Sequence, residues 1–179
     1  RDASLSHTRN GIYGEIWVAA SIAAAFTAAT PREALLTGLA FIPPRSRLAE
    51  VVRDCLDWAS SEPNWDHAWH KLEAKYGQYH PVHTLNNAGL VALAILFGEQ
   101  DLARTVGLAV RGGWDTDCNG ATAGSILGVW LGANRLSSHL TAPLQDRLPT
   151  ALAGVQELRF TELAARTERM ARHLAERCR

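Results

Sequence analysis

The chain has 179 residues, of which 47% are hydrophobic. That is enough for one domain with a substantial core, and too apolar for a disordered chain. Lys+Arg and Asp+Glu both number 18, so the net charge is zero and no chain-wide attraction for nucleic acid exists. Three widely spaced cysteines, Cys55, Cys118 and Cys178, exclude a disulfide framework or a CxxC zinc site and fit a reducing, cytoplasmic setting.

Strand signals are scarce and helix signals run throughout. Tyr13 to Ala29 is Ala-rich, with Ile16, Ala19, Ala20 and Ala23 at helical spacing. Its apolar part is too short and too Ala-rich to span a membrane, and no membrane partner is expected. Thr30 can cap a helix that has Pro31 in its first position, and Pro43-Pro44 stops it. Ser46 to Trp58 puts Leu48, Val51, Val52, Cys55 and Leu56 on one stripe. Asn64 can cap a helix through Tyr76, ended by Gly77. Gln78 to Val82 reads as a loop, and Thr84 to Phe97 as a buried, almost wholly apolar helix. Gln100 to Val110 is helical, as is Ala121 to Ala133. There Gly124, Gly128 and Gly132 recur every four residues and are expected to admit a neighbouring backbone. Val155 to Cys178 reads as one long amphipathic helix. The expectation is a single all-α domain over residues 1–179.

The run Gly112-Gly113-Trp114-Asp115-Thr116-Asp117-Cys118-Asn119-Gly120 carries the chemistry. Two carboxylates one residue apart repel, and chains hold them together when a cation, a shared proton or a positive helix end compensates. Asp115-x-Asp117-x-Asn119-Gly120 matches the first half of an EF-hand loop. The twelfth position is Ile126, however, where that loop needs a bidentate acid. Zinc favours His and Cys, and only Cys118 is adjacent, so an oxygen-rich magnesium, manganese or calcium site fits better. The competing structural reading is that Asp117 or Asn119 caps the following helix. Capping needs only one acid and leaves the second, and the preceding glycine pair, without a role.

Residues 112–128, Gly-Gly-Trp-Asp-Thr-Asp-Cys-Asn-Gly-Ala-Thr-Ala-Gly-Ser-Ile-Leu-Gly, resemble the C-terminal signature of the ADP-ribosylglycohydrolase family. Ser4-Leu5-Ser6-His7 resembles that family's Ser-Leu-Thr-His stretch. Val82-His83-Thr84-Leu85-Asn86-Asn87-Ala88 resembles the segment upstream of the signature. The resemblance implies a compact multi-helix fold and a hydrolase that cleaves the glycosidic bond of an ADP-ribosylated protein or small molecule, or of a related N-ribosyl compound. It implies two magnesium or manganese ions in a complete enzyme. Asp115 and Asp117 would be the catalytic, metal-binding acids, with Cys118 beside them. His7, His83, Asn87, Gly113, Trp114, Thr116 and Asn119 would face the substrate.

Two departures qualify the expectation. Cys118 stands where the family usually has Thr, and a thiol is a soft donor for magnesium. The family's other acidic motif, of Thr-Asp-Asp-Thr type, has no counterpart, and no two aspartates are adjacent in the chain. The chain therefore reads as the C-terminal part of a longer domain, completed by an N-terminal half or a second chain. The alternative is a non-catalytic fragment that binds ADP-ribose or a nucleotide, or regulates another protein, and has lost part of the metal site.

Overall fold

Side-chain caps set the helix starts. Thr30, Ser46, Asn64 and Asp101 each accept a hydrogen bond from the backbone amide three residues on, each worth about 1 kcal/mol. The computed structural model describes residues 1–177. Cys178, the expected end of the last helix, lies outside the described residues. The chain divides into two compact units after Arg135.

The first unit contains seven long helices: α1 (Asn10–Ala25), α2 (Pro31–Leu39), α3 (Arg47–Ser61), α4 (Trp65–Tyr76), α5 (Thr84–Phe97), α6 (Leu102–Arg111) and α7 (Thr116–Leu131). Helix α5 is the centre. It is buried from Leu85 to Ile95 without interruption, and α1, α3, α4, α6 and α7 all pack on it. Its sequence has no polar face to offer water, so it is stable only when surrounded. Trp17 of α1 is fully buried, and its indole N–H donates to the Leu35 carbonyl of α2 at 3.2 Å. That bond satisfies the one polar atom of a large apolar side chain. The expected helices over 65–76 and 84–97 match residue for residue.

Helix α7 begins at Thr116, five residues before the expected Ala121. Its glycine spacing does not serve close helix approach. A Cβ at Gly124 would meet Val106 at an ordinary 3.5 Å, one at Gly128 would meet nothing within 4 Å, and Gly132 (φ +69°) ends the helix. The tight backbone approach occurs instead between α1 and α2, where a Cβ on Gly38 would lie 2.9 Å from the Trp17 carbonyl. A Cβ on Gly14 of α1 would lie 2.3 Å from Thr84 Oγ1 of α5, so a larger residue there would displace that side chain.

The second unit begins at Leu136. After the short helix α8 (Ser138–Thr141) comes an antiparallel hairpin of β1 (Arg147–Leu152) and β2 (Val155–Arg159), then helix α9 (Phe160–Arg177). The hairpin corrects the expectation that the helix starts at Val155. Leu148 pairs with Leu158 and Arg147 with Arg159, and Gly154 turns the chain at φ +75°. Charge closes this unit. The Arg147 guanidinium donates twice to Glu157, at 2.9 and 2.7 Å. Asp146 accepts from the Thr161 amide and hydroxyl and from Arg159. No helix among the described residues is long and apolar enough to cross a membrane.

Candidate metal centre and its cleft

The acidic run spans the turn between α6 and α7, residues 112–115, and the first turn of α7. Gly113 (φ +78°) and Trp114 (φ +56°) are both left-handed. Glycine adopts that conformation freely and tryptophan at a cost of about 1–2 kcal/mol. The turn is pinned from two sides. The Trp69 indole of α4 donates to the Gly112 carbonyl at 3.2 Å, and the Asp115 amide donates to the Asn87 side-chain oxygen of α5 at 3.2 Å. Trp114 is half-buried against the core.

Asp115 is the residue that precedes α7, and its side chain caps nothing. Asp117 and Asn119 lie inside the helix, so neither is its cap. Among the described residues no backbone amide donates to the carboxylate of Asp115 or Asp117. No capping hydrogen bond accounts for either acid. Both carboxylates instead stand in the positive field of the α7 N-terminus, which offsets part of their mutual repulsion.

Asp115, Asp117 and Cys118 each place a ligand atom within 4.8 Å of the others. Two donors around one hard divalent ion, at about 2.1 Å for magnesium or about 2.4 Å for calcium, stand at most about 4–5 Å apart. The two carboxylates therefore suit such an ion in chemistry and lie close to the spacing it requires. The thiol fits less well. Hydrogen bonding to Asp115, and the charge of that carboxylate, push the exposed Cys118 thiol above its ordinary range. It is a protonated, soft group at neutral pH. Cys55 is also free, but buried.

A cleft of about 800 Å³ opens beside this turn. Of the residues expected to face a substrate or metal, it is lined by His7, His83, Asn87, Asp115, Cys118 and Asn119. Gly113, Trp114, Thr116 and Asp117 are not part of its wall. Asn87 lies there without a free hydrogen bond. Its amide nitrogen donates to the Pro81 and His83 carbonyls at 2.7 and 2.8 Å. Its oxygen accepts from the Asp115 amide and from the buried Asn119 side chain at 2.7 Å. This residue braces α5 against the start of α7. The His83 ring stacks on Tyr79 with centroids 4.6 Å apart, and its Nδ1 accepts from the Leu85 amide.

The sequence reading missed Glu15, Thr84 and Thr122, which also line the cleft. Glu15 left a trace: it is the one charged residue of α1, set among Ala, Ile, Val and Trp. Its carboxylate stands 3.8 Å from His7 Nδ1. Among the described residues no lysine or arginine lines the cleft.

Neither curated proteins nor solved structures give a match to the chain. The family model described as ADP-ribosylglycohydrolase matches residues 1–178, nearly the full length. A glycohydrolase-type function and an all-α fold accord with that match, and the chain belongs to the ADP-ribosylglycohydrolase family.

Proposed function

We propose that the cleft receives the ADP-ribosyl group of a modified protein or small molecule, and that the chain contributes to hydrolysis of the glycosidic bond. Asp115 and Asp117 hold a magnesium or manganese ion in this reading. The observation that carries it is the state of the two acids: like charges one residue apart, neither occupied by a backbone amide, with Asp115 in the wall of the cleft. Once bound, a divalent ion supplies positive charge that orients ribose hydroxyls and a water and polarises the leaving group.

The chain's own residues do the rest. Asn87 fixes the Asp115 backbone so that the carboxylate is presented in one place. The two acids act as ligands and do not shuttle protons. The imidazoles of His7 and His83 offer hydrogen-bonding groups to a sugar.

The test is release of ADP-ribose from an ADP-ribosylated acceptor with magnesium or manganese present. Asp117→Ala is expected to lower turnover severely while leaving the far-UV circular dichroism unchanged. Unchanged turnover in that variant rules against the metal role. Tight ADP-ribose binding with no product release selects the non-catalytic alternative.

A further inference from the structure

We infer that Glu15 is a positioning residue that fixes the tautomer of His7, so that the imidazole Nε2 is the acceptor for a hydroxyl of the ligand's ribose. This rests on the reading above that the cleft receives an ADP-ribosyl group.

Three contacts hold the His7 ring. The edge that carries Cδ2 lies over Gly11 in the first turn of α1, where a Cβ would come within 3.0 Å of His7 Cβ and Cδ2. The opposite edge meets Ser6 Oγ, 2.8 Å from Nδ1. The Glu15 carboxylate faces the same Nδ1 at 3.8 Å. Glu15 has no other ion-pair partner among the described residues, and it is one helical turn beyond Gly11 on the same face of α1. The acid and the ring seat are thus built on one rigid helix.

The chemistry of the pair follows from charge. A neutral imidazole carries one N–H and one lone pair, and the partner of one nitrogen decides the role of the other. A carboxylate beside Nδ1 favours the N–H there and disfavours the lone pair. Ser6 Oγ can accept from that N–H and satisfy it. Nε2 then bears the lone pair. It has no partner among the described residues, and His7 lines the cleft. A sugar hydroxyl is a donor that matches this acceptor, whereas the more usual Nε2–H tautomer presents a donor instead. Glu15 thereby explains its own presence in a helix otherwise free of charge.

The experiment has two arms on the 179-residue chain. The first reads the imidazole nitrogens of His7 by long-range proton–nitrogen NMR above the histidine titration range, with His7→Ala for assignment. The wild type is expected to show a protonated Nδ1 and a bare Nε2, and Glu15→Ala to revert to Nε2–H. A wild-type ring protonated on Nε2, or a tautomer that Glu15→Ala leaves unchanged, overturns the inference. The second arm measures ADP-ribose affinity by calorimetry with magnesium present. Glu15→Ala is expected to weaken binding about tenfold, the scale of one ligand hydrogen bond, and to have no effect in a His7→Ala background. An unchanged affinity in Glu15→Ala, or full additivity with His7→Ala, also overturns it. A wild-type chain that binds no ADP-ribose refutes the proposed function instead, and the NMR arm still decides the tautomer.

Discussion

The side-chain oxygen of Asn87, in the first turn of α5, accepts the backbone amide of Asp115, 28 residues later, at 3.2 Å. The same oxygen takes a bond from Asn119 at 2.7 Å. One side chain in the central helix thus sets both the start of α7 and the place where the acidic pair is displayed. Nothing in the spacing of Asn87 shows this, because the bond exists only once α5 and α7 are packed together.

Asn87→Ala leaves the Pro81 carbonyl, the Asp115 amide and the buried Asn119 side-chain nitrogen without partners, while the His83 carbonyl keeps the backbone amide of position 87. The expected cost is about 2–3 kcal/mol, since removing one member of a buried network costs more than the net worth of a single bond. Urea denaturation measures it. An unchanged midpoint shows that α7 holds its start without the brace.

The two glycines of the turn separate two kinds of strain. Gly113→Ala places a Cβ in open space at φ +78°, so only backbone strain of about 1–2 kcal/mol is expected. Gly112→Ala drives a Cβ to 2.3 Å from Leu90 Cδ1, and overpacking of about 1–3 kcal/mol is expected with local displacement of α5. The Trp69 indole reports the difference. Its fluorescence should shift in Gly112→Ala, whose carbonyl it binds, and stay near wild type in Gly113→Ala.

Much of this was legible in the chain. Asn64 and Gly77 bracket α4 because a capping side chain and a terminating glycine are local signals. The apolar run 84–97 identifies the central helix because nothing else accommodates so few polar groups. The hairpin was not legible: Pro149 argues against a strand, and only two strands with one Gly turn mark it. Glu15 needed the folded path of the chain, since residues 1–8 bring His7 back over α1. Asp115 and Asp117 were found by the chemistry of like charges, but their freedom from amide partners is a property of the fold.

Acid should loosen the second unit by a definite route. Hydrogen bonds from Thr161, and Arg159, hold the Asp146 carboxyl below the usual carboxylate range, and Arg147 does the same for Glu157. A depressed folded-state pKa contributes stability above the unfolded value, lost as pH falls through the folded one. The contribution of both groups is therefore complete at neutral pH and declines below about pH 4. Protection factors of the 147–159 amides, corrected for the intrinsic exchange rate and followed between pH 6 and 3, should fall more in the wild type than in Asp146→Asn plus Glu157→Gln. Equal pH dependence in the two proteins contradicts this route.

Calorimetric titration with magnesium and manganese, on the wild type and on Asp115→Ala plus Asp117→Ala, tests the central claim most directly. The wild type is expected to bind and to gain thermal stability with the ion. The double variant is expected to lose that affinity at least about tenfold and, without cation, to melt no lower than wild type, because no cap is removed and a repulsion is relieved. Cation binding of wild-type strength in the double variant contradicts the account.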